Sequence, residues 1–397
     1  MINAANKDAR ASGGFASLRS VTYKKWVAQR ISHFLSLHPQ LEPRYAAAKK
    51  VVRAFRRPAF YEISTRCNLK CEGCYYFEGG QSHVSDIRAQ DEEWAQFFKE
   101  EQRRGVSMAY FVGAEPALEP KRLMAAAECF PWGNIGSNGT IRIPSEVPYR
   151  IGVSVWAADE ETDRVMRGAG AFRKALMNYA GDPRAIILFT VSRWTIDHIP
   201  MIAQQCREHG LPLTFNIYSP THSYLEKLKS HQSNDQAFFR VSAPEDNPQL
   251  GPEDLYRMAQ VIEETMDRYP ETVIYDRGYN RLMSAREAPH AIDPATGIAE
   301  NCGSRMVAPM RYFGTNRQQL QVKCGTSDVD CSQCRLYSGG WSSRFVPSPA
   351  DLEDLQGFKG WLDTMDVLGR IFLIGAAEPY HVPAAESADQ FAGRAFE

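Results

Sequence analysis

The 397-residue sequence has no apolar run near the ~18 residues that a membrane span requires, and its mean hydropathy is −0.40. No apolar core follows the start, "MINAANKDARASGGFASLRS", so a secretory signal is not expected there. That stretch contains arginine and is poor in acids, a faint likeness to an organelle transit peptide. No internal repeat or low-complexity tract stands out. Net charge is nearly absent, −1 overall, and nothing in it is a specific nucleic-acid signal. The nine cysteines are odd in number and lack a secretion signal, which points to a reducing, cytoplasmic setting. Clustered thiols there are expected to hold metal rather than to pair as disulfides.

A chain that is 44% hydrophobic can bury a large core, as two or three domains or as one α/β domain with additions. Charge is unevenly spread. Residues 1–57 carry 12 Lys/Arg against 2 Asp/Glu, a net of +10, and the remainder carries 34 against 45, a net of −11. The first 18 residues, small and polar, read as disordered. Helices are expected near 20–37 and 42–56, broken by Pro39 and Pro43, the first of them amphipathic through Trp26, Val27, Ile31, Phe34 and Leu35. This basic arm, 1–57, fits either docking on the acidic body or contact with an anionic partner such as a phosphorylated substrate, nucleic acid or membrane surface.

From Pro58 the pattern alternates. Strand-like "AFYEIS", "MAYFVG", "NIGSNG", "YRIGVSVWA", "AIILFTV" and "LTFNIYS" are separated by helical segments, among them "DEEWAQFFKEEQRRG" and "ETDRVMRGAGAFRKALMNYAG". Such alternation implies a parallel sheet with crossover helices over 58–220, either open and doubly wound or a partial barrel, with ligands at the C-terminal ends of the strands. A helical connecting region follows at 221–300, then a cysteine-bearing segment at 301–346. A C-terminal helix near 350–368, capped by Ser348, and a tail complete 347–397.

The chemistry is concentrated just past the first strand, in "YEISTRCNLKCEGCYYFEGG". Cys67, Cys71 and Cys74 stand at C-x3-C-x2-C. Thiolates are the soft ligands that iron–sulfur clusters require, and three of them leave one position of a four-iron cluster open, as catalytic metal sites do. This triplet, followed by an aromatic residue at the end of the first strand of a βα series, resembles the radical S-adenosylmethionine superfamily. The resemblance implies a partial (β/α)6 barrel within the α/β class, and a [4Fe-4S] cluster whose open iron is chelated by S-adenosylmethionine. It further implies reductive cleavage to a 5′-deoxyadenosyl radical that takes hydrogen from a substrate, with an electron donor such as a flavodoxin or ferredoxin.

Further motifs follow in order. In "YFVGAEP", Gly113, Ala114 and Glu115 resemble the family's Gly-Gly-Glu-Pro edge, with Ala114 in place of the second glycine and Glu115 as acceptor for the methionine ammonium. In "GSNGT", Asn138 resembles the family's Thr-Asn-Gly. Ser154 on the fourth strand is expected to face the ribose or carboxylate of S-adenosylmethionine, Arg167 to pair with that carboxylate, and Tyr75 to stand beside the adenine. Read without the resemblance, these residues also fit turns, a buried strand serine and a surface ion pair.

A second set, Cys302, Cys324, Cys331 and Cys334, can close a metal site completely. With the turn "FGTNRQQ" it resembles a C-terminal SPASM domain in its shorter, one-cluster twitch form, which implies an auxiliary [4Fe-4S] cluster. Structural zinc, or free thiols that include redox pairs, are the alternatives. Cys129 and Cys206, on predicted helices, read as buried small apolar residues. Candidate substrate contacts at the ends of the fifth and sixth strands are Thr190, Ser192, Asn216 and Tyr218. The leading expectation is an enzyme that makes a carbon-centred radical on a small biosynthetic intermediate. A ribosomal-peptide maturase, a transferase of an S-adenosylmethionine-derived group, and a non-catalytic metal-binding protein are the alternatives.

Overall fold

The computed structural model describes residues 21–74, 76, 90–230 and 241–374. The first 18 residues and Tyr75 lie outside these.

Seven strands form one parallel sheet: β1 (Pro58–Glu62), β2 (Met108–Val112), β3 (Gly133–Ser137), β4 (Arg150–Val155), β5 (Ala185–Val191), β6 (Leu213–Ile217) and β7 (Arg311–Phe313). Their order is β6-β5-β4-β3-β2-β1-β7. Each new strand from β1 to β6 is laid beside the one before, so winding continues in one direction. A doubly wound sheet would reverse its order at a switch point. This one has none, and the architecture is an α/β partial barrel.

Helices cover the outer face: α3 (Asp91–Arg104) after β1, α4 (Pro120–Ala127) after β2, α5 (Glu160–Arg167) and α6 (Phe172–Tyr179) after β4, and α7 (Ile199–Glu208) after β5. Helix α3 carries Asp91, Glu92 and Glu93 in its first turn and Arg103 and Arg104 in its last, charges that complement its dipole. The outward residues of the strands, including Tyr61, Phe111, Ile151, Val153, Ile187 and Phe189, are fully buried beneath these helices. Tyr61 packs on Phe98, Phe130 and Phe313, and its hydroxyl donates to Glu101 Oε2 at 2.9 Å. The long helix expected over 161–181 is two helices. Asp159 caps α5 by accepting from Thr162 N at 2.8 Å, and Gly168, at φ 77°, stops it in the left-handed conformation.

Beyond β6 come α8 (His222–Ser230), α9 (Pro252–Arg268), α10 (Arg277–Ser284), α11 (Tyr337–Ser342) and α12 (Leu355–Phe372). Helix α12 starts later than expected. Asp354 is its cap, accepting from Gly357 N at 2.7 Å, while Ser348 and Asp351 bond each other across the preceding short turn. Strand β7, which had no sequence signal, covers the edge of β1.

The arm, α1 (Val21–Leu37) and α2 (Glu42–Ala54), lies on α12. Phe34 stacks on Phe358 with ring centroids 5.4 Å apart. Arg44 pairs with Asp363 at 2.7 Å and with Asp366, and Arg30 donates to the carbonyls of Leu352 and Glu353. The described part of the basic arm thus meets the chain's own C-terminal helix, where two aspartates pair with Arg44. Phe358 is fully buried whereas the Arg44 pairs are partly exposed. Phe358→Ala is therefore expected to cost about 3–5 kcal/mol and Arg44→Ala about 1 kcal/mol, read by chemical denaturation. Limited proteolysis of the arm should rise only in the first variant, and equal losses would show that charge, not apolar packing, holds the arm.

Candidate functional site

The cysteine loop leaves β1 at Glu62 and is fastened at both ends. Ile63 N donates to Val112 O at 3.1 Å and Ala114 N to Ser64 O at 3.0 Å, which ties the loop to the end of β2. Gly113 has φ 122°, and a Cβ there would stand 2.7 Å from Ser64 O, so only glycine fits. Arg66 pairs with Glu119 at 2.6 Å. At the far end, Lys70 N and Glu72 N donate to the carbonyls of Arg167 (3.2 Å) and Met166 (2.7 Å), which the last turn of α5 leaves without helical partners. Glu72 is fully buried and accepts from Ser242 Oγ at 2.6 Å, and Ser242 Oγ in turn meets Tyr224 OH. Gly73 lets the rings of Tyr224 and Tyr218 approach, since a Cβ would stand 2.7 Å from the first and 3.0 Å from the hydroxyl of the second.

Cys67, Cys71 and Cys74 are not disulfide-bonded, and each is partly buried. Cys67 Sγ accepts from Leu69 N at 3.4 Å and from Asn138 Nδ2 at 3.7 Å. Tyr76, which the sequence did not single out, packs against Cys67, Cys74 and Ala114 and donates its hydroxyl to Ser64 O at 3.2 Å. Burial pushes the Cys67 thiol up to about 11. A thiolate here needs a cationic centre to hold its charge.

The second and third strand loops join at Glu115, which is 1% exposed. Its Oε1 accepts from Ala117 N (3.0 Å) and Ser137 Oγ (2.8 Å), and its Oε2 from Asn138 N (2.7 Å). Asn138 Nδ2 donates to Asn68 Oδ1 at 2.8 Å as well as to Cys67. Arg167, also 1% exposed, donates from Nη2 to Asn138 O at 2.8 Å and lies 3.6 Å from Asp163. Its Nε and Nη1 have no hydrogen-bond partner among the described residues. Cys67, Gly113, Ala114, Glu115, Asn138 and Arg167 thus form one connected unit. The Glu115 carboxylate is committed to neighbouring loops rather than displayed to solvent.

Ser154 lies on the inner face of β4 and accepts from Trp156 Nε1 at 3.3 Å. Trp156 packs edge-on against Tyr218. Thr190 Oγ1 accepts from Asn216 Nδ2 at 3.4 Å, and Asn216 Oδ1 accepts from Tyr337 N at 2.9 Å, so both residues anchor the start of α11. Ser192 is fully buried in a turn closed by Thr195. Tyr218 belongs to the cysteine loop's surroundings through Gly73.

Cys302, Cys324, Cys331 and Cys334 line a cavity of ≈ 40 Å³, together with His290, Lys323 and Gly339. Burial raises all of Cys302 (to about 11), Cys324 and Cys334 (to about 12), and each feels the charge of others in the set. Between Cys302 and Cys324, β7 turns back at 314–318, with Gly314 N donating to Gln318 O at 3.0 Å and Leu320 N to Tyr312 O at 2.8 Å. Cys129 and Cys206 are buried on the outer layer, away from both sets. Among the described residues, no three His, Cys, Asp or Glu side chains converge closely enough to enclose a single metal ion.

Inside the barrel, sequence reasoning missed Glu62. It is 8% exposed, and its Oε1 accepts from Tyr312 OH at 2.6 Å, a partner 250 residues away. No local pattern signals a pair so distant in the chain.

No protein-family profile matches the chain, and no curated protein does. Among solved structures it is similar to Streptococcus suis SuiB, at 14% identity and TM-score 0.46, over 71% of this chain and 64% of that one. It is also similar to anSMEcpe, solved with bound AdoMet, at 16% identity and TM-score 0.45, over 68% and 74%. The chain thus spans less than two thirds of the length of SuiB. Likeness at this level leaves the chemistry to the side chains themselves.

Burial raises the Glu62 carboxyl above the usual carboxylate range, opposed by the Tyr312 bond. The folded state therefore loses stability as pH rises from that range through the raised value, while below it both states are protonated and nothing is lost. Glu62→Gln keeps an acceptor for Tyr312. It should resist denaturant better than the parent near neutral pH and match it at about pH 4. A variant less stable at neutral pH would contradict this.

Proposed function

We propose that the chain is a radical S-adenosylmethionine enzyme acting on a small molecule, with Cys67, Cys71 and Cys74 holding a [4Fe-4S] cluster. The observation that carries this reading is the meeting of three separate motifs at one sulfur. Asn138, from the loop after β3, donates its side-chain amide to Cys67 and its backbone N–H to Glu115 of the loop after β2. A protein that merely stored metal would have no use for that convergence.

The donor set suits a cluster. Three thiols outside any disulfide lie in one loop, one of them receiving N–H groups as cluster-bound sulfurs do. When bound, such a cluster with S-adenosylmethionine on its open iron supplies one electron and, through it, a carbon radical that removes hydrogen from substrate. The chain's own residues do the rest. Gly113 and Ala114 keep the loop edge low enough for an amino acid moiety to approach. Glu115 fixes the spacing of the two loops and lends negative charge beside an ammonium. Arg167 has two unused N–H groups under Asn138, which suits it to a carboxylate. Ser154 offers a hydroxyl on the inner face of β4, and Tyr75 stands next to Cys74 in sequence, where a base could lie against it. Thr190, Asn216 and Tyr218 shape the rim, and Ser192 acts through the turn behind it.

The second cysteine set is assigned an auxiliary [4Fe-4S] cluster, because its four thiols surround one cavity and none is paired. An external one-electron donor of the flavodoxin or ferredoxin kind completes the system.

Anaerobic reconstitution is expected to load about eight irons per chain, as two four-iron clusters. Reduction in the presence of S-adenosylmethionine should release 5′-deoxyadenosine. Replacing Cys67, Cys71 and Cys74 by alanine should abolish that release and leave the second cluster's absorbance in place. Methionine formed without deoxyadenosine would defeat the reading, whereas about four irons together with zinc would remove the auxiliary cluster alone.

A further inference from the structure

The interior of the barrel is hollow. A closed eight-stranded barrel fills its centre with layers of inward-pointing side chains, and this partial barrel does not. Here two adjacent inward positions on β3 and β4 are Gly136 and Gly152, paired across the strands. A Cβ built on Gly136 meets nothing within 4 Å, and one on Gly152 meets only Ile135 O at 3.8 Å. Neither glycine is needed for a left-handed backbone, so what they provide is space. The result is a cavity of ≈ 670 Å³ that runs from the inner face of the strands toward the ends of α2 and α12.

Its wall is mostly apolar, with Phe60, Val112, Leu188 and Phe372 among the lining residues. Its charge has one sign. Arg56, Arg150 and Arg344 line it, and no aspartate or glutamate does. Arg344 is neutralised by Asp351 at 2.8 Å. Arg150 is not. It is 6% exposed and has no carboxylate partner among the described residues. Its donors go to the carbonyls of Pro183, Arg184, Ala185 and Arg370, and its Nε has no acceptor. Two lining tyrosines, Tyr110 and Tyr337, have hydroxyls with no hydrogen-bond partner among the described residues. A buried guanidinium bonded only to carbonyls, with Asp182, whose charge it feels, already paired to Arg184, lies beside two idle hydroxyl donors in a low-dielectric space. An anion completes it.

We propose that this cavity takes a small amphipathic molecule, apolar over most of its surface and carrying one carboxylate-like anion, which Arg150, Tyr110 and Tyr337 receive. The exposed lining residues Arg56, Pro309 and Val346 mark the mouth, and Arg56 there presents a second positive charge to an arriving anion. Calling this molecule the substrate rests on the proposed function. Its chemical class rests only on the cavity, and that can be measured without turnover.

The test is calorimetric titration of the full-length, cluster-loaded chain, without reductant or S-adenosylmethionine. The probes are decanoate, 4-phenylbutanoate, decyl phosphate, decanol and decyltrimethylammonium. At least one anion should bind at least about tenfold more tightly than decanol, since a hydrogen bond to a charged group is among the stronger ones. Decyltrimethylammonium should bind most weakly. Arg150→Gln should erase most of the preference for anion over alcohol, and Tyr110→Phe should reduce it about two- to fivefold. Gly136→Leu should abolish binding of every probe without lowering Tm, because its side chain enters open space. That variant and Tyr110→Phe decide the matter even if Arg150→Gln fails to fold. The proposal is overturned if all three anions fail to bind, if decanol or the cation matches the best anion, or if Gly136→Leu leaves binding intact. Absent deoxyadenosine with these binding results in place would sink the proposed function alone, and normal deoxyadenosine release with no anion preference would sink this inference alone.

Discussion

A carboxylate taken out of water must find donors, and Glu115 draws its donors from two loops that follow different strands. One oxygen takes Ala117 N and Ser137 Oγ, the other Asn138 N. Losing any of these would leave a buried charge unsatisfied, at about 1–3 kcal/mol or more for each orphaned group. The loops after β2 and β3 are therefore held in a single relation. Asn138, once fixed, reaches Cys67 and Asn68 with its side chain, and its carbonyl takes the guanidinium of Arg167. The carbonyls of Met166 and Arg167 then accept from Glu72 and Lys70 of the cysteine loop. The chain of bonds returns to where it began, so the thiols are positioned by a closed ring of contacts rather than by their loop alone.

That ring is satisfied within itself yet leaves charge at its rim. The Cys67 thiol is raised by burial, and Nε and Nη1 of Arg167 have no acceptor among the described residues. A metal centre would reverse the first and an anionic ligand group would use the second. Binding and ordering of such a site are coupled, because ligands that cost free energy when bare gain it back when the centre arrives.

The parts legible in the sequence were those with a local physical cause. "AIILFTV" is apolar but for Thr190 because β5 is covered on both faces, and its bounds in the fold are those read from the sequence. The spacing of Cys67, Cys71 and Cys74 and the order of "GAEP" and "GSNG" located the loops that meet. Three residues of β7 carry no periodicity, and only pairing with Ala59, Phe60 and Tyr61 makes them a strand. The choice between open sheet and barrel lay in strand order, which no single segment encodes. The glycines at 136 and 152 weaken a strand when read locally, and their use as space emerges only once β3 and β4 are paired and their inner faces known. Glu62 and Tyr312 were out of reach for the same reason, each ordinary by itself.

The lower end of the hollow barrel shows why such a cavity can persist. Helix α12 ends there, and the last carbonyls of a helix have no helical partners. Asn134 Nδ2 donates to Phe372 O at 3.2 Å and Arg150 Nη2 to Arg370 O at 2.5 Å, both from inward positions of the strands. A cationic side chain at a helix C-terminus is favoured by the dipole as well. The floor residues therefore close the barrel and, at the same time, furnish a buried guanidinium that has no carboxylate partner among the described residues. Phe34 and Arg44 of the arm press α12 from outside, so the arm, α12 and the floor form a continuous stack behind the cavity. An anion at Arg150 would meet the same guanidinium that holds the end of α12, so the interior and its closed lower end share one residue.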